Sequence, residues 1–157
     1  MTLETIPDGP AGVVATLKKM RQLVEAAKRR PTLRAVALKL VSDLPQKDYR
    51  SEAERLHAFV RDRIRYVRDI RGVETLHTPE KLLELRQGDC DDKSLLLLGL
   101  LESLGHTARF KAVGFMRGFF SHVLVEVLID GQWVSAETTE PVPLGWGPPN
   151  VADVLYG

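Results

Sequence analysis

The chain has 157 residues, 44% hydrophobic and 27% charged, the balance of one soluble globular domain with a core large enough to fold without staples. A net charge of +1 gives no global pull toward nucleic acid or a membrane, and a single cysteine excludes an intramolecular disulfide and any cysteine-paired zinc site. Residues 1–10 carry Glu4, Asp8 and two prolines in place of a basic-then-apolar leader, and no run approaches membrane-spanning length; a reducing, cytoplasmic location with no membrane partner is the expectation.

Residues 1–10 read as an extended lead-in. From Ala11 to Arg30 the apolar residues Val13, Val14, Leu17, Met20, Leu23, Val24 and Ala27 recur at helical spacing, and Pro31 ends that helix. Thr32 to Leu40 predicts a second helix, with Leu33, Val36, Ala37 and Leu40 on one face. Between Gly9 and Val41 stand eight basic residues and one acid, Glu25, a local charge of +7. No aromatic residue interleaves with them, which argues against nucleic acid; the plain reading is a solvated helix face, and a partner protein docked on these helices is the alternative.

Residues 42–48 form a loop, and Asp48 or Ser51 caps a third helix that runs to about Arg65 and buries Ala53, Leu56, Phe59, Val60 and Ile64. Tyr66 to Asp69 looks extended, and Gly72 to Thr78 reads as a loop. Pro79 opens a short helix, Glu80 to Arg86, from the first-turn position that proline prefers. Then comes Gly88-Asp89-Cys90-Asp91-Asp92. Asp89 is suited to N-cap a helix and Asp92, three residues on, to complete a capping box; Gly105 supplies the stop. Between them the leucines occupy nearly every side, so this helix is expected to be covered all round.

Beyond Gly105 the period changes to that of strands. Thr107 to Gly114 alternates weakly, and Ser121 to Ile129 is a strong strand. Asp130-Gly131 is a hairpin turn, leading into Gln132 to Thr139. In a two-residue turn Ile129 faces Gln132. One face then carries Val123, Val125, Val127, Ile129, Val134 and Ala136. The other carries His122, Leu124, Glu126, Leu128, Trp133, Ser135, Glu137 and Thr139. Glu137 falls diagonal to His122, about 7–8 Å away at Cα, within reach of its imidazole. Residues 141–157 read as an irregular tail, with Trp146 and Tyr156 packing into the core. The whole is one domain: a helical extension over 1–47, a core over 48–140 and the tail.

Cys90 is the one nucleophile candidate. A thiol in the first turn of a helix meets unpaired N–H groups and the positive end of the dipole. The neighbouring aspartates act the other way, and a lone cysteine is commonly just a small buried hydrophobe. A metal site at Asp89, Asp91 and Asp92 has the wrong spacing, and no cofactor is expected. His122 and Glu137 taken singly are ordinary strand residues. Taken with Cys90 they form a nucleophile, base and orienter set: the imidazole takes the thiol proton and the carboxylate holds its tautomer. The Cys90 N–H is a natural oxyanion donor. A protonated His122 and the helix terminus are expected to outweigh the aspartates and lower the thiol pKa.

The order cysteine, histidine, acid on a helix followed by a hairpin resembles the transglutaminase-like superfamily, in its branch of bacterial and phage papain-like cysteine peptidases. The residues that carry the resemblance are Gly88 to Asp92, the Ser121-to-Val127 strand headed by His122, and Gly131 to Thr139, spanning roughly 50–140. It implies an α+β, papain/transglutaminase-like fold, with the cysteine helix packed on a small antiparallel sheet. It also implies thiol-based acyl transfer on a protein or peptide amide, through Cys90, His122 and Glu137. Glu137 stands where the family more often has aspartate, so Glu137→Asp is expected to be tolerated. No tryptophan precedes Cys90 as in animal-type transglutaminases, which leaves the second oxyanion donor unassigned, with Gln87 and His77 nearby in sequence. Two other functions remain open: an inactive interaction module on the same fold, and true glutamine–amine cross-linking.

Overall fold

A computed structural model describes residues 2–4, 9–68 and 74–157. The lead-in read over 5–8, Asp69 and the first two residues of the loop read at 72–78 lie outside these. Helix α1, Pro10–Lys28, buries Leu17, Met20, Val24 and Ala27 along one stripe. Pro31 takes the first position of α2, Pro31–Leu40, where its missing N–H costs nothing. In α3, Tyr49–Arg63, the Asp48 side chain caps the Ser51 N–H, and in α4, Pro79–Leu85, Thr78 caps Lys81.

Helix α5, Cys90–Ser103, begins with the reciprocal capping box: Asp89 accepts from the Asp92 N–H, and Asp92 from the Asp89 N–H. It ends as Gly105, at φ 93°, turns the chain so that its own N–H and that of His106 meet the carbonyls of Glu102 and Leu101. Helices α1 to α4 and two strands of the main sheet pack around α5. Leu95 to Leu98, Leu100 and Leu101 are fully enclosed. The all-round leucine pattern therefore has a structural counterpart: α5 is the axis of the molecule.

Short strands flank this axis. β1 (Thr2–Glu4) pairs antiparallel with β3 (Glu74–Leu76), and β2 (Arg65–Tyr66) pairs parallel with β4 (Gln87–Gly88). The loop read over 72–78 thus contains a strand at 74–76. The main sheet has strands β5 (Ala108–Gly114), β6 (His122–Ile129), β7 (Gln132–Ala136) and β8 (Asp153–Tyr156), in the order β7-β6-β5-β8 and antiparallel throughout. Ile129 faces Gln132 across Asp130 (φ 51°) and Gly131 (φ 77°), and Val125 faces Ala136, the register that a two-residue turn dictates.

The tail departs from expectation twice. Its final residues are regular, adding β8 to the edge of β5, and Trp146 and Tyr156 remain 36% and 52% exposed. Tyr156 covers the Arg109 guanidinium in place of the core. At the N-terminal helices, Arg21 and Lys28 both reach Glu102, at 2.7 and 3.0 Å, and Arg30 pairs with Glu80. Part of the basic charge on 9–41 therefore fastens α1 and α2 to α4 and α5.

Candidate active site

Strand β7 stops at Ala136, three residues short of the Thr139 end expected from the sequence. In a continued ladder Val123 would exchange both of its backbone bonds with Thr138. Val123 instead turns its carbonyl toward α5, where it accepts from Ser94 Oγ at 3.1 Å, and its N–H lies near enough to the Cys90 sulfur to favour the thiolate. The thiol at the head of α5 thus lies beside the start of β6, near the residue that follows His122. Cys90 is partly buried, and its own side-chain bond goes to Asp91 Oδ1 at 3.7 Å. Among the described residues no hydrogen bond joins the sulfur to the His122 ring.

His122 and Glu137 do meet. His122 Nε2 lies 2.6 Å from Glu137 Oε2, and the other carboxylate oxygen accepts from the Thr139 N–H at 3.0 Å and the Thr139 hydroxyl at 2.9 Å. Glu137 is 1% exposed. Burial pushes its carboxyl up, but the bond and charge of His122 and the Thr139 donors outweigh burial and leave it below the usual range. With Nε2 committed, Nδ1 of His122 is the ring nitrogen without a partner among the described residues.

The thiol differs from expectation. Burial pushes the Cys90 pKa well up, the charges of Asp91, Asp89 and Glu137 add to the rise, and the Val123 N–H offsets only part of it. Burial first, and then the carboxylates of Asp91 and Asp89 at the helix start and of Glu137 after β7, favour the thiol over the thiolate. Asp92 is occupied elsewhere, since its Oδ1 meets His77 Nδ1 at 3.3 Å. Gln87 accepts from Arg65. His77 and Gln87 are thus bound to groups other than the sulfur, and no metal-binding cluster of His, Cys, Asp and Glu occurs among the described residues.

Three further residues join the site. His57, 2% exposed on α3, donates from Nε2 to the Glu137 carbonyl at 2.5 Å; burial holds it neutral by lowering its pKa, against the pull of that bond. It shares the stripe of Ala53, Leu56, Val60 and Ile64, so periodicity alone could have placed it inside. Lys93, one turn after Cys90, is 2% exposed and donates to the Arg61 carbonyl at 3.2 Å. Burial lowers its pKa to about 8, against the attraction of Asp62 and Glu137. A lysine in an otherwise enclosed leucine helix was its signal. Tyr66 faces Gly88 across β2 and β4, close enough to feel the charge of Cys90, after burial the main cause of its raised pKa. Two-residue strands leave no pattern from which this could be read.

A profile of the transglutaminase-like superfamily matches residues 35–138. Solved structures with a similar fold include a candidate protease from Parabacteroides distasonis (TM-score 0.65, 12% identity, 88% of this chain and 30% of that one). A candidate cysteine protease from Cytophaga hutchinsonii aligns at TM-score 0.55 and 17% identity over 80% of this chain and 46% of that one. Calcium-bound LapG from Legionella pneumophila aligns at 0.58 and 16%, over 86% and 80%. At such identities the likeness is one of fold, and the chain spans less than half the length of the first two. No curated protein matches the chain at a significant level.

Proposed function

The chain belongs to the transglutaminase-like superfamily, and on that footing we propose that it is a thiol-dependent amide hydrolase or acyltransferase acting on a protein or peptide. Cys90 is the nucleophile, His122 the general base and Glu137 the residue that orients it. The observation that carries this reading is the 2.6 Å bond from His122 Nε2 to a buried carboxylate, on a strand whose next residue, Val123, lies close enough to act on the one cysteine in the chain.

In this reading each step has its group. Nδ1 of His122 takes the thiol proton as Sγ attacks the carbonyl carbon, because Nε2 is held by Glu137. Because burial favours the thiol over the thiolate at Cys90, in this reading the transfer accompanies attack instead of preceding it. Glu137 stabilises the imidazolium so formed. The backbone N–H of Cys90, at the head of α5, faces the developing oxyanion. The tetrahedral adduct then expels the amine, which takes the proton from His122, and leaves a thioester on Cys90. Water or a second amine, deprotonated by His122, attacks the thioester and releases the thiol.

The test uses para-nitrophenyl acetate, which acylates an activated thiol whatever the natural substrate. Wild type is expected to release a burst of one equivalent of nitrophenolate and to carry one acetyl group on Cys90 by mass. Cys90→Ala should give no burst, and His122→Ala should slow both acylation and its reversal. A folded wild type without a burst, or a burst that survives in Cys90→Ala, would remove the thiol mechanism. Added primary amine that captures the acyl group faster than water does would mark transamidation as the dominant outcome.

A further inference from the structure

The arginines around Tyr66 have no role in this chemistry, yet they converge beside it. A pocket of about 340 Å³ lies between the C-terminal end of α3 with β2 and the segment that follows Glu137, with Lys93 in its lining. Its walls carry Arg61, Arg63, Arg65 and Arg86, against Asp62 and Glu140. Arg61 is neutralised, since it grips Asp62 through two bonds of 2.7 and 2.8 Å. The other three arginines have no carboxylate partner among the described residues: Arg65 reaches the Gln87 amide and Arg86 lies over the Phe59 ring. Among the described residues the Lys93 ammonium donates to a backbone carbonyl and has no carboxylate within ion-pair distance, though it feels the charges of Asp62 and Glu137.

A surface arginine usually needs no explanation, because water solvates it. Three arginines and a buried lysine lining one concavity, against Glu140 as the one acid not gripped by Arg61, are different. Their mutual repulsion and the desolvation of Lys93 are costs that an anion in the pocket would relieve. Tyr66 and Thr138 line the same walls and carry hydroxyls that can donate to an oxyanion, whereas the Thr139 hydroxyl is committed to Glu137. The position is as telling as the charge. Tyr66 sits beside Cys90 at one end, and Thr138 and Thr139 directly follow Glu137 at the other. A chain whose amide lies at the sulfur would pass this pocket within a residue or a few.

We propose that this pocket is a substrate subsite that takes carboxylate side chains, so that the amide presented to Cys90 belongs to an acidic stretch of polypeptide. The proposal rests on the reading of Cys90 as a nucleophile toward a polypeptide, and its test is binding, which does not require catalysis. The probes are fluorescein-labelled pentapeptides Ala-Glu-Glu-Glu-Ala, Ala-Gln-Gln-Gln-Ala and Ala-Lys-Lys-Lys-Ala, titrated against the Cys90→Ala protein by fluorescence anisotropy. The glutamate peptide is expected to bind about tenfold or more tighter than the glutamine one, and to weaken as salt rises. The lysine peptide should bind weakest. The triple variant Arg63→Gln/Arg65→Gln/Arg86→Gln, in which each changed side chain is exposed and the fold can be verified by its melting curve, should abolish the preference. Equal affinity for the glutamate and glutamine peptides overturns the proposal. So does an affinity for the glutamate peptide that is unchanged in the triple variant, the absence of saturation at millimolar protein, or displacement by inorganic phosphate as effective as by unlabelled peptide. If the acylation burst fails while the charge preference persists, the thiol mechanism falls and the anionic ligand class stands; a burst with no preference is the opposite case.

Discussion

Each oxygen of the Glu137 carboxylate has its own work, one holding His122 at 2.6 Å and the other held by the amide and hydroxyl of Thr139. Glu137→Gln keeps the shape but offers an amide where the imidazolium needs a negative charge. Acylation by para-nitrophenyl acetate should fall by about a hundredfold or more, with little change in the melting temperature. Glu137→Asp restores the side chain that the family more often has, but at this position it meets a geometric obstacle. Removing one methylene withdraws the carboxylate by about 1.5 Å, so it cannot keep both sets of partners, and this variant too should acylate slowly. Equal rates in wild type and both variants would return Glu137 to a structural role. The thiol itself gives a second measurement. Because burial and three carboxylates raise the Cys90 pKa, the neutral form persists to higher pH than in a free thiol near about 8.5. Iodoacetamide alkylation of the native protein should therefore be slow at pH 7 and climb only above that free-thiol range. A plateau of fast alkylation below pH 7 would instead mean a preformed thiolate–imidazolium pair. The place of Cys90 at a helix start and of Glu137 beside His122 was legible in the sequence, because helix capping and hairpin register are local rules. The thiol's protonation was not, because it depends on how densely the folded chain encloses one sulfur.

Among the elements, α5 depends on what comes just before it. Gly88 lies in β4 with its α-carbon so close to the capping box that an added Cβ would stand 2.5 Å from Asp92 Cβ and 3.0 Å from its Oδ2. Asp92 cannot yield cheaply, since its carboxylate bonds the Asp89 N–H and meets His77. Gly88→Ala should therefore cost about 1–3 kcal/mol, read from denaturant unfolding, and should also slow acylation because the clash displaces the turn that carries Cys90. A variant with unchanged stability and rate would show that β4 can shift without disturbing the helix start. The capping box was readable because its two aspartates are three residues apart. The parallel pairing of β2 with β4 was not, since two residues hold no period and their partner lies twenty-two positions away. The early end of β7 was hidden for a related reason. Thr138 and Thr139 are good strand residues, but the Val123 carbonyl that a longer ladder would use accepts from Ser94, on a helix elsewhere in the chain.

At the scale of the whole molecule, the central position of α5 follows from a sequence that is apolar on every side, while the order of the sheet does not follow from any local signal. Val154 and Leu155 lie in a short run after several prolines and glycines, and only the open edge of β5 makes a strand of them. That edge gives the last prediction. β8 pairs Lys111 to Gly114 with Asp153 to Tyr156, and the chain end is fastened further by reciprocal bonds between Phe110 and Gly157 at 2.8 and 3.0 Å. Asp153 also accepts from the Gly118 N–H, bracing the β5–β6 loop that leads into His122. Deleting 151–157 should cost about 2–4 kcal/mol, since several backbone bonds of about 1 kcal/mol net each are lost together. It should also leave β5 as an exposed edge, so that the shortened protein associates with itself as its concentration rises in sedimentation. The deletion spares the bonds of the earlier tail, where Arg61 holds the Val142 carbonyl and Gly145 bonds to Ser135, so the walls of the pocket beside Glu137 are kept. If β8 only braces the sheet, Cys90 should alkylate in the shortened protein at the wild-type rate under conditions where both are folded. A large acceleration with no loss of stability would mean instead that the terminal strand screens the thiol.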